Sequence, residues 1–109
     1  MAVLVYVTTS TMEEAGRIGR TLVESRLAAC SNVLGPVQSV YWWDGAVQTG
    51  DEASLILKTR EDCVEALIVR VKELHSYEVP CVVVLPMVGG NADFLKWVET
   101  EARPVAVEK

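Results

Sequence analysis

The chain has 109 residues, half of them apolar, and ten Lys and Arg stand against fifteen Asp and Glu for a net charge of −5. That length fits a single domain over residues 1–109. The acidic balance argues against nucleic acid as a main partner, because affinity for phosphate backbones rests on basic neutralisation. No apolar run approaches the roughly 18–20 residues of a membrane span, so no membrane partner is expected either.

The first segment, about residues 2–9, reads as a strand rather than a leader peptide, since no basic region precedes it. Val3, Val5 and Val7 alternate with Leu4 and Tyr6, a pattern that implies burial on both faces. Thr11 and Glu14 then have capping-box spacing for a helix running to about Leu27. Ala15, Ile18 and Leu22 form its inner face, with Arg17, Arg20, Glu24 and Arg26 solvated. A second strand, residues 28–43, is interrupted at Gly35-Pro36, where a bulge or bend is expected. Asp44-Gly45 signals a tight hairpin turn, because both positions tolerate positive φ. Residues 46–51 extend the hairpin, and a third strand follows at about 52–59. Thr59 with Asp62 offers a second cap.

Val64, Leu67, Ile68, Val71 and Leu74 recur at steps of three and four, predicting a helix over about 61–75. Pro80 excludes its continuation. Residues 81–85 read as a fourth strand, apolar on both faces, and Asn91 caps a third helix through Phe94, Leu95 and Val98. The tail after Pro104 is expected to fray. The order β-α-β-β-α-β plus a terminal helix is the α+β, ferredoxin-like split-βαβ plan with an antiparallel sheet. Right-handed crossovers put both main helices on one face. Apolar residues on the other face, with adjacent rings at Trp42 and Trp43 pointing to opposite sides of the hairpin, call for a further copy of the chain as cover. Tyr41, Trp42 and Trp43 are therefore the expected interface.

The three cysteines, Cys30, Cys63 and Cys81, show no Cys-x-x-Cys spacing, which argues against a disulfide framework or a zinc knot. Reduced thiols and a cytoplasmic location are expected. Cys63 lies off the apolar stripe and is read as partly exposed. His75, the only histidine, closes the second main helix. It can serve the free carbonyls there or act as a metal ligand beside Tyr77 and Glu78. Alone it cannot complete a zinc site. Cys30 and Cys81 are either small buried hydrophobes or soft ligands for copper. Lys58 lies in an apolar strand, snorkelling at a rim or facing an acidic cleft. Nothing in the sequence pattern places a nucleophile for His75 to activate, and no motif supports a Cys-His pair, so no catalytic residue is assigned.

Leu27-Ala28-Ala29-Cys30, Ser39-Val40-Tyr41-Trp42-Trp43-Asp44-Gly45, Leu57-Lys58-Thr59, His75-Ser76-Tyr77-Glu78-Val79-Pro80, Leu85-Pro86 and Gly90-Asn91 together resemble the CutA divalent-cation tolerance proteins. The resemblance implies a tight homotrimer similar to the PII signalling proteins, a link to copper tolerance and copper binding, and no catalytic activity. No cofactor is required, copper being the one candidate. His75 matches the family histidine, whereas Leu74, Val7, Ser76 and Cys81 stand where members carry histidine, cysteine, proline and glutamate. The ligand set expected here is His75 and Cys81, with Cys30 as the outlying choice, and Lys58, Tyr77 and Glu78 as cleft residues. The alternative function is a PII-like scaffold or signalling module that binds a small molecule or a partner protein.

Overall fold

The computed structural model describes residues 1–104; the expected fraying beyond Pro104 falls outside them. Strand β1 (Ala2–Thr9) is followed by helix α1 (Met12–Glu24), strands β2 (Cys30–Trp43) and β3 (Ala46–Arg60), helix α2 (Val64–Leu74), strand β4 (Val82–Pro86) and helix α3 (Ala92–Glu101). The strands form one sheet in the order β2-β3-β1-β4, and every pairing is antiparallel. This is the ferredoxin-like arrangement.

The apolar periods explain the layers. Val5 and Val7 of β1 and Leu55 and Leu57 of β3 point to one face. Ile18 and Leu22 of α1 and Leu67 and Val71 of α2 meet them in a continuous core. Each such side chain, fully buried, contributes about 1.5–3 kcal/mol of transfer free energy. Thr11 caps α1 as its spacing predicts, accepting a hydrogen bond from the Glu14 N–H at 3.0 Å. The hairpin turn has φ of 54° at Asp44 and 79° at Gly45, the positive pair of a type I′ turn. The register of β2 slips between Val33 and Gly35, and Gly35 sits at φ 112°, so the expected bulge is present.

Local boundaries differ from expectation for identifiable reasons. Helix α1 stops at Glu24 rather than Leu27 because Arg26 turns left-handed at φ 70°. Its guanidinium then pairs with Glu101 of α3 at 2.7 Å. Thr59 does not cap the second main helix; its hydroxyl donates to the Leu27 carbonyl at 2.7 Å. A 3₁₀ turn over Glu61–Cys63 leads into α2 instead. That tighter turn carries Cys63 inward, and the thiol expected to be partly exposed is fully buried.

The other face of the sheet has no crossover helix. The alternation places Leu4, Tyr6, Ile56, Lys58, Val83 and Leu85 there. Helix α3 reaches one end of it, with Phe94 under the Lys58 ammonium at 5.6 Å and the Glu99 carbonyl accepting from Arg60 at 3.2 Å. Elsewhere the face is open. Leu4 and Tyr6 are half-buried, and Val83 on the edge strand β4 is 51% exposed. Burial of β1 and β4 on both faces, as their sequences suggest, is thus incomplete within one chain.

Two glycines of α1 give a paired test of the helix–sheet contact. A methyl at Gly19 would overlap the Ser31 hydroxyl and lie 3.3 Å from Leu55 Cδ1, whereas Gly16 has nothing within 4 Å. Gly19→Ala should destabilise by about 1–3 kcal/mol through overpacking. Gly16→Ala should stabilise by about 0.5–1 kcal/mol through helix propensity. Denaturant titration of both variants checks the opposite signs.

Candidate functional site

The segment from His75 to Cys81 is fastened to the N-terminus of α1 by one carboxylate. Glu14 Oε1 accepts from the Ser10 N–H and hydroxyl, each at 2.9 Å, and from the Ser76 hydroxyl at 3.0 Å. Oε2 accepts from the Ser76 N–H at 2.7 Å. Burial would raise the Glu14 pKa, but these donors outweigh it and hold the carboxyl down at about 2. The capping-box spacing was legible in the sequence; that its acid would be only 5% exposed and shared with a loop 62 residues away was not.

His75 is similarly committed. Its Nε2 lies 2.7 Å from the Thr8 carbonyl, and its Nδ1 accepts from the Tyr77 N–H at 3.0 Å. A carbonyl can only accept and an amide N–H can only donate. These partners therefore assign a neutral ring with its proton on Nε2. The ring is fully buried, 4.7 Å from that of Tyr77. The helix-terminal reading thus gains a specific form: His75 joins the end of α2 to β1 and aims Tyr77 outward.

Tyr77 turns into a cleft of about 580 Å³ on the helix-free face, between the hairpin and the residue 77–81 segment. Its hydroxyl donates to Glu52 Oε2 at 2.7 Å. Burial first, and then the Glu52 carboxylate, push the phenol far above its ordinary range and keep it protonated. Tyr6, Tyr41 and Trp43 supply further aromatic wall, and Glu78 and Cys81 also line the space. Glu52 escaped sequence reading because one acid in an alternating strand looks like any solvated position.

The structure therefore brings Tyr77, Glu78 and Cys81 together with Tyr41 and Trp43. His75 stands behind this group and does not line the cleft. Neither Cys30 nor Lys58 lines it; they face each other across β2 and β3. Lys58 donates to Asn32 Oδ1 at 2.7 Å, and the Cys30 thiol lies 3.6 Å from the same oxygen. Trp42 projects to the opposite side of the hairpin from Tyr41 and Trp43 and is 74% exposed. Among the described residues no group of three or more His, Cys, Asp or Glu side chains is gathered as for a metal ion.

An α+β domain with an open sheet face and an aromatic, acidic cleft is the class that fold and site define. Residues 3–101 match the family model described as CutA1 divalent ion tolerance protein. The chain is 43% identical over 102 residues to the CutA 1 protein, chloroplastic, of Oryza sativa, covering 94% of this chain and 58% of that one. The solved CutA from Archaeoglobus fulgidus superposes with a TM-score of 0.90 at 36% identity, covering 94% of this chain and all of that one. The Thermus thermophilus protein gives 0.92 at 39% identity with the same coverage. The chain belongs to the CutA divalent-ion tolerance family.

The expected cytoplasmic location is corrected by these relatives. The Oryza protein is named chloroplastic, and the Archaeoglobus structure is described as a periplasmic protein. Cys30, Cys63 and Cys81 are free, but unpaired thiols show only that no two meet with disulfide geometry. They do not specify a compartment. No described helix is long and apolar enough to cross a membrane.

The Glu14 network gives a signed pH dependence. Its pKa is lowered on folding from an ordinary 4.5 to about 2. Its contribution is complete above about pH 4.5 and is lost as pH falls towards 2. The shift corresponds to about 3 kcal/mol. Glu14→Gln should therefore cost about 2–3 kcal/mol at pH 7, with the gap from wild type closing near pH 2. Urea unfolding across that range measures it; a gap independent of pH would contradict the charge-based account.

Proposed function

We propose that this chain acts as a homotrimer in divalent-cation tolerance, without catalysis, binding copper weakly beside the cleft. The observation that carries the assembly is the exposed apolar surface of the hairpin and sheet edge. Trp42 is 74% exposed beside Val40 and Val47 on one side of the hairpin, and Val83 and Leu85 are exposed on the helix-free face of the sheet. A stable interface removes on the order of 800 Å² per partner from water, and obligate ones remove more. Packing copies over this surface provides the missing cover, with Tyr41 and Trp43 at its margin. The names of the relatives support the tolerance role.

Cys81 heads the copper donor set because a thiolate suits the reduced ion, and Glu78 lines the same space. His75 can join only by giving up the Tyr77 N–H, and Cys30 only across a subunit boundary. Such a set binds loosely and adds nothing to folding. The alternative reading, a PII-like module for a small molecule or partner protein, draws on the size of the cleft.

One preparation tests both parts. Native protein at micromolar concentration should sediment as about 36 kDa, three chains of 12.0 kDa. Copper should titrate weakly, with affinity falling below about pH 6 as the donors protonate. Chelator should leave the mass unchanged, and Cys81→Ser should abolish copper binding. A stable folded monomer would contradict the assembly. Tight copper binding that survives loss of both His75 and Cys81 would contradict the site.

A further inference from the structure

The cleft has features that copper does not use. Its volume, about 580 Å³, is far larger than a metal ion needs and falls in the range of small-molecule pockets. Among the described residues Glu52 and Glu78 both line it, and no Lys, Arg or His does. Among the described residues the side chain of Glu52 has one hydrogen bond, from Tyr77 to Oε2, and that of Glu78 has neither a hydrogen bond nor an ion pair. Three carboxylate oxygens thus have no hydrogen-bond partner among the described residues. Tyr6, Tyr41, Trp43 and Tyr77 give the remaining wall an aromatic part.

That combination selects a ligand chemistry. Anions meet two uncompensated carboxylates. A bare divalent ion finds no cluster of three ligating side chains. An organic ammonium finds both of its needs met. Its N–H groups reach carboxylates, and its carbon body meets the faces of Trp and Tyr, which attract positive charge through their quadrupoles. The Tyr77–Glu52 hydrogen bond fixes one carboxylate in the wall before any ligand arrives, so little ordering remains to be done on binding.

We propose that the cleft binds a small primary organic ammonium ion with an aromatic or other apolar body, the charge held by Glu52 and Glu78 and the body by Tyr41, Trp43 and Tyr77. This reading goes beyond metal tolerance; it shares Glu78 with the copper donor set but uses neither Cys81 nor His75. It gives His75 and Glu14 a positioning role, since they hold the segment that presents Tyr77.

The test is calorimetric titration of the native assembled protein at pH 7 with 2-phenylethylammonium chloride and, separately, with 2-phenylethanol, which keeps the ring and lacks the charge. The amine should saturate the protein and bind at least about tenfold more tightly than the alcohol. The isosteric double variant Glu52→Gln, Glu78→Gln should lose that preference, with its fold checked by its melting curve. Trp43→Leu should weaken both compounds. Copper is titrated in a separate run. Amine binding without copper binding leaves this proposal standing, and copper binding without amine binding ends it. An amine that fails to saturate below about 10 mM, equal affinity for amine and alcohol, or an undiminished preference in the double variant would each overturn it.

Discussion

Two crossover helices cannot cover both faces of a four-stranded sheet, yet this sheet carries apolar residues on both. Right-handed crossovers place α1 and α2 on one side, and Val5, Val7, Leu55 and Leu57 are satisfied there. On the other side α3 covers only one end, while Val83, Leu85, Tyr41 and Trp43 stay open. This imbalance underlies both proposals. Where the uncovered surface is broad and apolar it suits another copy of the chain. Where it folds into a concave space edged by Glu52 and Glu78 it suits a small cation.

The cleft keeps its shape because its loop wall is anchored from behind. The residue 75–81 segment lacks helix or strand hydrogen bonding of its own over most of its length. Glu14 and His75 supply the substitute, binding Ser76 and the Tyr77 amide on one side and Thr8 on the other. A buried carboxylate in this position is stable only because every donor around it is aligned. A proline at position 76 would lack the amide N–H and the hydroxyl that Ser76 offers to Glu14.

Much of this was legible in the residues. The periods of α1 and α2, the Asp44-Gly45 turn, the bulge near Gly35 and the Asn91 cap are local signals, and each formed as read. The opposite orientation of Trp42 and Trp43 follows from strand alternation alone. What failed depended on contacts distant in sequence. Thr59 found the Leu27 carbonyl before it could cap a helix. Cys63 was carried inward by a 3₁₀ turn that its own periodicity does not announce. For His75 the sequence could not show that Thr8 and Tyr77 use both ring nitrogens within the chain. For Cys30, the outlying metal choice, and Lys58, a cleft choice, the sequence did not show that β2–β3 pairing brings both to Asn32 within the chain.

The central claim is that other copies of the chain cover the hairpin. Trp42 and Trp97 provide an internal comparison, since in a single chain Trp42 is 74% exposed and Trp97 43%. The most direct measurement is hydroxyl-radical footprinting of the native protein, read by mass spectrometry at these two indoles. The proposed assembly predicts an inverted order, with Trp42 oxidised more slowly than Trp97 at micromolar concentration and overtaking it on dissociation by denaturant. Faster oxidation of Trp42 in the native protein, in line with the single-chain exposures, would contradict it.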